Sequence, residues 1–328
     1  MSKISLGAGP EENQPVLRVE MTGYTFLEDP RVRKGSVVVS DFFTGQVLSL
    51  GRDGSVEVVV EIDDQPSGTG WTPDGELLVV SMLKRAVLKV SGADTSLHAD
   101  LSPWATGPCN DMLVDPLGRA YVGNMGGDGG PDSELMDAYL LRVDSDGTVS
   151  VAASELRFPN GMALSPDGSQ LFVAETYGAR VSVFDVNARG ELSGRRTFAD
   201  FANAPLRSTA REMLATGMVL PDGIALDSAG GLWIADAAGS GVVRVDQGGR
   251  ITDRIPVEGL TIFAPALGGP DGRTLYLCAS PTLYEFDYAE ARGSQLLSCR
   301  VDIPGLITDP AGPHEPLDAP HQSATEQS

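Results

Sequence analysis

Oxygen-bearing side chains recur at one position of a repeating phrase. In GPCNDMLVDPLGRAYVGNM (107–125), FPNGMALSPDGSQLFVAETYGARVSVFDV (158–186) and LPDGIALDSAGGLWIADAAGSGVVRVD (220–246), counting eight residues back from the first-turn Gly (Gly118, Gly168, Gly230) lands on Asn110, Asn160 and Asp222. Two further copies, at 67–90 and 263–287, place Ser67 and Ala264 there, counted from Gly75 and Gly272. An opening copy, FLEDPRVRKGSVVVSDFFTGQVLSL (26–50), has Glu28 seven residues before Gly35. Two carboxylates and two carboxamides brought together in a restricted cavity repel one another and are poorly solvated unless a cation lies between them. With no Cys or His in the set, ligand type favours Ca²⁺, Mg²⁺ or Mn²⁺ over Zn²⁺. Asn-Gly and Asp-Gly pairs also serve as turn chemistry. That accounts for Asn160-Gly161 and Asp222-Gly223, but not for the carboxylate of Glu28 or for Asn110 followed by Asp111.

The elements that must position these residues follow from the repeat. Each unit holds apolar runs of Val, Leu, Ile and aromatic residues, bounded by D-G, G-G or P-D-G turns, the sequence form of antiparallel hairpins. The equivalent positions lie 39 to 62 residues apart. Six copies with this period predict an all-β, six-bladed β-propeller of four-stranded antiparallel blades. The first strand of each blade is then innermost, and the residues that open those strands ring one mouth of the central channel. VLRVEM (16–21) and QLLSCRVDI (295–303) complete the blade where the ring closes. The predicted organisation is a flexible segment at 1–15, one propeller domain at 16–304, and a Pro-rich polar tail at 305–328 that reads as disordered.

The motifs FLEDP, GPCND, FPNG and PDGIALD resemble those of the gluconolactonase family, also called the senescence marker protein or regucalcin family, over roughly residues 16–304. The resemblance implies a six-bladed propeller with one divalent metal in the central channel, held by a Glu, an Asn and an Asp from different blades, and hydrolysis of sugar lactones. The more distantly similar diisopropylfluorophosphatase group adds a further Asn to a calcium site. Matched residue by residue, the implied metal ligands are Glu28, Asn160, Asp222 and Asn110, the positions that the repeat selects on its own. There are departures. Asp29 stands where the family has Gly, and Val32 where an aromatic residue is common. Pro108 stands where sugar-lactonase members carry an Arg that binds substrate hydroxyls, which shifts the expected substrate toward a less polar lactone or ester.

Two insertions fall on the face where the first strands begin. They are GGDGGPDSELMD (126–137) and FANAPLRSTAREMLATGMVL (201–220), and both are expected to overhang the ion as binding loops. The second is predicted to contain a short helix capped by Ser208 or Thr209. The residues that follow the second strands, Ser81, Asn124, Glu175 and Asp236, also recur in register. Glu175 and Asp236 either support the ligands or cap the hairpins. Trp71 and Trp233 fall on strand positions that read as blade core. His98, His314 and His321 lie outside the register, so a Ser-His-Asp triad lacks its base.

Composition narrows the function classes. Lys plus Arg number 24 and Asp plus Glu 45, a net charge of −21 that repels phosphate backbones and anionic lipid. Neither a nucleic-acid nor a membrane partner is expected. The opening MSKISLGAGPEENQPV has no signal-peptide pattern, which gives a cytoplasmic expectation. Three cysteines without C-x-x-C spacing (Cys109, Cys278, Cys299) read as buried, inert thiols. The expected activity is a divalent-metal-dependent hydrolase, a lactonase first. Ca²⁺ is the first choice of cofactor, with Mg²⁺, Mn²⁺ or Zn²⁺ behind it. Asp222 and Asn110 are the catalytic candidates: Asp222 takes a proton from the attacking water and Asn110 positions the substrate. Asn110, Tyr177 and Met125 are the candidate contacts to a small-molecule substrate, in a monomer or homodimer. Two rivals keep the fold, a metal-dependent cyclase, lyase or isomerase of a specialised metabolite and a non-enzymatic calcium-binding propeller.

Overall fold

Short apolar runs separated by glycine-bearing turns fold here into antiparallel sheets, because each run is long enough for a strand and too punctuated for a helix. The computed structural model describes residues 14–282 and 291–306 of the 328. Among them are six four-stranded antiparallel sheets. Five are built from strands consecutive in sequence. The sixth joins Thr261–Gly268, Thr274–Ser280 and Ser294–Arg300 to the N-terminal strand Arg18–Tyr24, which pairs with Ser294–Arg300 and closes the ring. The predicted propeller and its closure are both present. The first 13 residues, the 283–290 part of the sixth copy and the tail from 307, with His314 and His321, lie outside the described residues. Within them the chain stays packed past Pro304, since Gly305 N donates to Gly272 O at 2.8 Å.

Every sheet buries both faces against its neighbours. Leu78, Val80 and Val87 of the second blade meet Met112, Val122 and Leu141 of the third. Trp233 and Val242 of the fifth meet Ile262, Leu277 and Leu297 of the sixth. Side chains of this kind contribute about 1.5–3 kcal/mol each on full burial. The three cysteines are buried, and burial pushes the Cys109 and Cys299 thiols up to about 12 and about 11. No helix among the described residues is long and apolar enough to cross a membrane.

The innermost strands are Leu27–Arg33, Pro66–Trp71, Cys109–Val114, Pro159–Leu164, Pro221–Leu226 and Thr261–Gly268, which touch one another all the way round the axis. Each begins with a β-bulge. In the third blade Cys109 faces Asn124 and Met112 faces Val122, so three steps along the inner strand match two on its neighbour. A bulge inserts one unpaired residue and re-aims its side chain. Here the bulges span Ser67, Asn110, Asn160 and Asp222, while in the first blade the bulge follows Glu28, which pairs with Ser40. Gly161 and Gly223 let adjacent inner strands approach at this level. A Cβ on Gly161 would sit 2.5 Å from the Asp222 carbonyl oxygen, and one on Gly223 would sit 2.6 Å from Ala264. Gly161→Ala is therefore expected to destabilise the fold by about 2 kcal/mol through overpacking, read as a lowered urea midpoint with an unchanged slope.

Candidate functional site

The bulged residues form one hydrogen-bonded arc across the hub. Ser67 Oγ donates to Asn110 Oδ1 at 2.9 Å, and Asn110 Nδ2 donates to Asn160 Oδ1 at 2.9 Å. Asn160 Nδ2 donates to Asp222 Oδ1 and, at 3.1 Å, to Thr176 Oγ1. Thr176 in turn donates to Pro221 O at 2.9 Å. Glu28 completes the set and accepts the Asp29 N–H at 2.9 Å. Exposure is 5% for Glu28, 4% for Asn110, 1% for Asn160 and 6% for Asp222. All four line one cavity. At the equivalent position in the sixth blade, Ala264 packs against Gly223 and contributes no polar group.

Burial pushes the Glu28 carboxyl well above its ordinary range, and the charges of Asp222 and Asp111 push it further. Asp222 is also held well above the usual carboxylate range, by burial and then by Asp111, with the Asn160 hydrogen bond opposing. Two buried carboxylates that disfavour each other's ionisation, with no cationic side chain among the described residues bonded to either, call for an external positive charge. Among the described residues no group of three or more His, Cys, Asp or Glu is placed to hold a metal. The donors here are two carboxylates and two carboxamide oxygens, a set that fits a hard divalent cation.

Below this ring lies a second charged layer that sequence reading did not find. Asp29 accepts the Thr69 N–H at 2.6 Å and its hydroxyl at 2.7 Å, and pairs with Arg31 at 2.6 Å. Arg31 also donates to Met112 O at 2.5 Å. Asp111 is 4% exposed and its Oδ1 has no hydrogen-bond partner. Burial and the Asp29 charge push it up to about 7, against Arg31. Arg31 is thus the protein's own cation beneath the ring.

The register residues that end the second strands grip the backbone that leads into the ligand strands. Asp41 accepts the Phe26 N–H at 2.8 Å, two residues before Glu28. Asp236 accepts the Leu220 N–H at 3.0 Å, two before Asp222. Glu175 accepts the Arg157 N–H at 3.1 Å, three before Asn160, and bonds Arg180, Arg195 and Ser182. Glu175 and Asp236 therefore anchor the loops that enter the ligand strands. The hydroxyl that reaches Asn160 belongs to Thr176, one residue past Glu175.

The cavity above the ring is about 150 Å³. Its wall comes from two further register positions. Two residues before the ring position stand Phe26, Gln65 and Phe158; just after the second strands stand Phe42, Met82, Met125, Thr176 and Ala237. Tyr177, Phe43, Phe263 and Gly129 complete the lining. Met125 and Tyr177, named from sequence as substrate contacts, both face it. Phe26 stacks with Phe263 at 4.8 Å and with Phe42 at 5.2 Å, and Phe158 meets Tyr177 at 5.3 Å.

The two insertions fasten to each other over this wall. Leu135 N donates to Ser208 O at 2.7 Å, Arg211 N donates to Pro131 O at 2.8 Å, and Arg211 pairs with Asp132 at 2.7 Å. The helix Ala210–Leu214 forms with Thr209 as its cap, the hydroxyl accepting the Glu212 N–H. Ala210 and Met213 pack in one cluster with Phe26, Phe42, Phe158 and Phe263. The first insertion reaches the cavity through Gly129; the second supports the wall from behind.

Residues 29–280 match the SMP-30/gluconolactonase/LRE-like region. The chain belongs to this family. Among its relatives, a pentonolactonase of Haloferax volcanii is 31% identical over 51% of this chain and 52% of its own length, so the match spans about half of that protein. Regucalcin of Danio rerio is 30% identical, over 85% of this chain and 84% of its own. A solved luciferin-regenerating enzyme shares the fold with a TM-score of 0.72 at 20% identity, over 89% of this chain and 97% of that one. Its relatives thus include a protein named as a lactonase. Pro108, read from the sequence as a departure from the sugar-lactonase pattern, holds Met125 in place by accepting its N–H at 2.9 Å.

Two outcomes follow from the charges at the hub. Glu28 and Asp222 bind protons more tightly folded than unfolded, so their stabilising contribution is present below the ordinary carboxylate range and is lost as pH rises through their elevated values. In chelator the melting temperature is expected to fall between pH 5.5 and pH 8, roughly the span from just above ordinary carboxylate titration to mild alkalinity. Millimolar Ca²⁺ should abolish that fall, as scanning calorimetry can show. Arg31→Met leaves Asp29 buried and unpaired and should cost about 3 kcal/mol in urea unfolding.

Proposed function

We propose that this protein is a divalent-metal-dependent hydrolase that opens lactone rings. The observation that carries the reading is the pairing of Glu28 and Asp222, buried and mutually repelling, with Asn110 and Asn160 on the floor of a cavity large enough for a ring. Glu28, Asn160, Asp222 and Asn110 would hold the ion, and a bound divalent cation supplies Lewis-acid polarisation of a carbonyl oxygen.

The remaining roles belong to the chain. Ser67 and Asn160 fix the Asn110 carboxamide from both sides, so it meets the substrate without reorganising. Asp222 would accept the proton of the attacking water. Thr176 ties Asn160 to the strand that carries Asp222, so these two groups move as one. The apolar wall excludes bulk water and strengthens each of these interactions. An open cavity above the ring supports an enzyme over a calcium-binding scaffold, which needs none.

Asp222→Ala is expected to lower lactone kcat/KM by at least about 1,000-fold and to abolish calorimetric Ca²⁺ binding, since it removes both a ligand and the base. Chelation of the wild-type protein should silence it reversibly. Full activity in that variant refutes the assignment. Inertness of the Ca²⁺-loaded wild type toward every lactone tried would shift the reading to a non-hydrolytic rearrangement.

A further inference from the structure

We infer that the lactone taken by this site bears an apolar or aromatic substituent and is not a polyhydroxylated sugar lactone. The inference deepens the hydrolytic reading and rests on it for the reaction, although the shape and polarity of the cavity stand apart from the chemistry. Among the described residues no Lys, Arg or His lines the cavity. On its floor Asn110, Asn160 and Asp222 are engaged along the arc that starts at Ser67, and Glu28 accepts the Asp29 N–H. Away from the floor, the polar side chains in a wall of phenylalanine and methionine are Gln65, Tyr177 and Thr176, and the Thr176 hydroxyl is engaged with Asn160 and the Pro221 carbonyl.

Magnitudes decide between the two substrate classes. A sugar lactone carries several hydroxyls, and each one buried without a partner costs about 1–3 kcal/mol. An apolar substituent of similar size instead gains about 25 cal/mol for every Å² it buries. A cavity of about 150 Å³ has room for a ring the size of benzene. The wall is also preformed. Phe26, Phe42 and Phe263 are stacked, the fastened insertions back them, and Phe158 is held at φ +55°, a left-handed conformation that a phenylalanine adopts only when its surroundings impose it. A rigid apolar wall offers little room for polar groups to swing in and serve a sugar.

The full-length Ca²⁺-loaded protein should turn over dihydrocoumarin and γ-nonanolactone with kcat/KM at least about 100-fold above D-gluconolactone, the discrimination that two unpartnered hydroxyls produce. A preference for D-gluconolactone, or parity, overturns the inference. Binding of two inert lactams, dihydrocarbostyril and gluconolactam, measured by calorimetry, separates the substrate class from the reaction. If dihydrocarbostyril binds at least about tenfold tighter while no lactone is opened, the hydrolytic reading falls and the apolar site stands. If gluconolactam binds tighter, or neither lactam binds, the apolar site falls, whatever the activity. Phe42→Ser, which puts a hydroxyl into the wall, should narrow the apolar preference in both assays by about tenfold, one hydrogen bond's worth.

Discussion

The molecule depends on an electrostatic conflict that its own packing creates. Six inner strands crowd an axis, each carries a bulge near its start, and the residues that open two of them, Glu28 and Asp222, line the cavity at the hub. Burial at this level sets each carboxylate against its own ionisation and against its neighbour. Hydrophobic contacts between blades hold the strands too firmly for the carboxylates to reach water. The hub can relax by protonation or by a cation, and near neutral pH the cation is the stronger remedy because it answers both charges together.

The protein meets this conflict in two layers. In the lower one the counter-charge is covalent: Arg31 pairs with Asp29 and reaches across to the Met112 carbonyl, linking the first blade to the third. In the upper one the carboxamides of Asn110 and Asn160 bridge without adding charge, and the demand for a cation stays open toward the cavity. A guanidinium at the upper level would satisfy the carboxylates and leave nothing to polarise a substrate. The division between a filled lower layer and a demanding upper one separates stability from chemistry within a few ångströms along the same strands.

Much of this was legible from one sequence because the fold repeats. Six copies in register stood in for the homologues that a single chain lacks, and the ring position picked out Glu28, Ser67, Asn110, Asn160, Asp222 and Ala264 before any geometry was known. The same register carried more than was read from it. Two residues earlier lie Phe26, Gln65 and Phe158, and one residue past the second strands lie Phe42, Met82, Met125, Thr176 and Ala237, which together make most of the cavity wall. Thr176 escaped notice because the charged Glu175 beside it seemed the better partner, yet Glu175 turns outward to Arg180 and Arg195. Asp29 looked like a weakened family motif. It is the anchor for Arg31, a pairing across a bulge whose geometry residue spacing does not encode. The insertions could be placed on the correct face from sequence, but their mutual fastening depends on long-range contacts such as Arg211 to Asp132 that no local pattern announces.

The apolar wall and the charged floor reinforce each other. An ion in open water polarises a carbonyl weakly, because solvent dipoles answer its field; the same ion beneath phenylalanine rings acts through a medium of far lower dielectric constant. The wall that would strand a sugar's hydroxyls therefore also raises the electrophilicity of any carbonyl that reaches the floor. On the proposed reading selectivity and rate would share one structural source, which would give the two insertions a part in both although only Gly129 among their residues lines the cavity. The second insertion packs Ala210 and Met213 in one cluster with Phe26, Phe42 and Phe158 and so braces the apolar wall over the floor. Loosening that cover would hydrate the floor, and the substrate preference and the polarising power would be lost together.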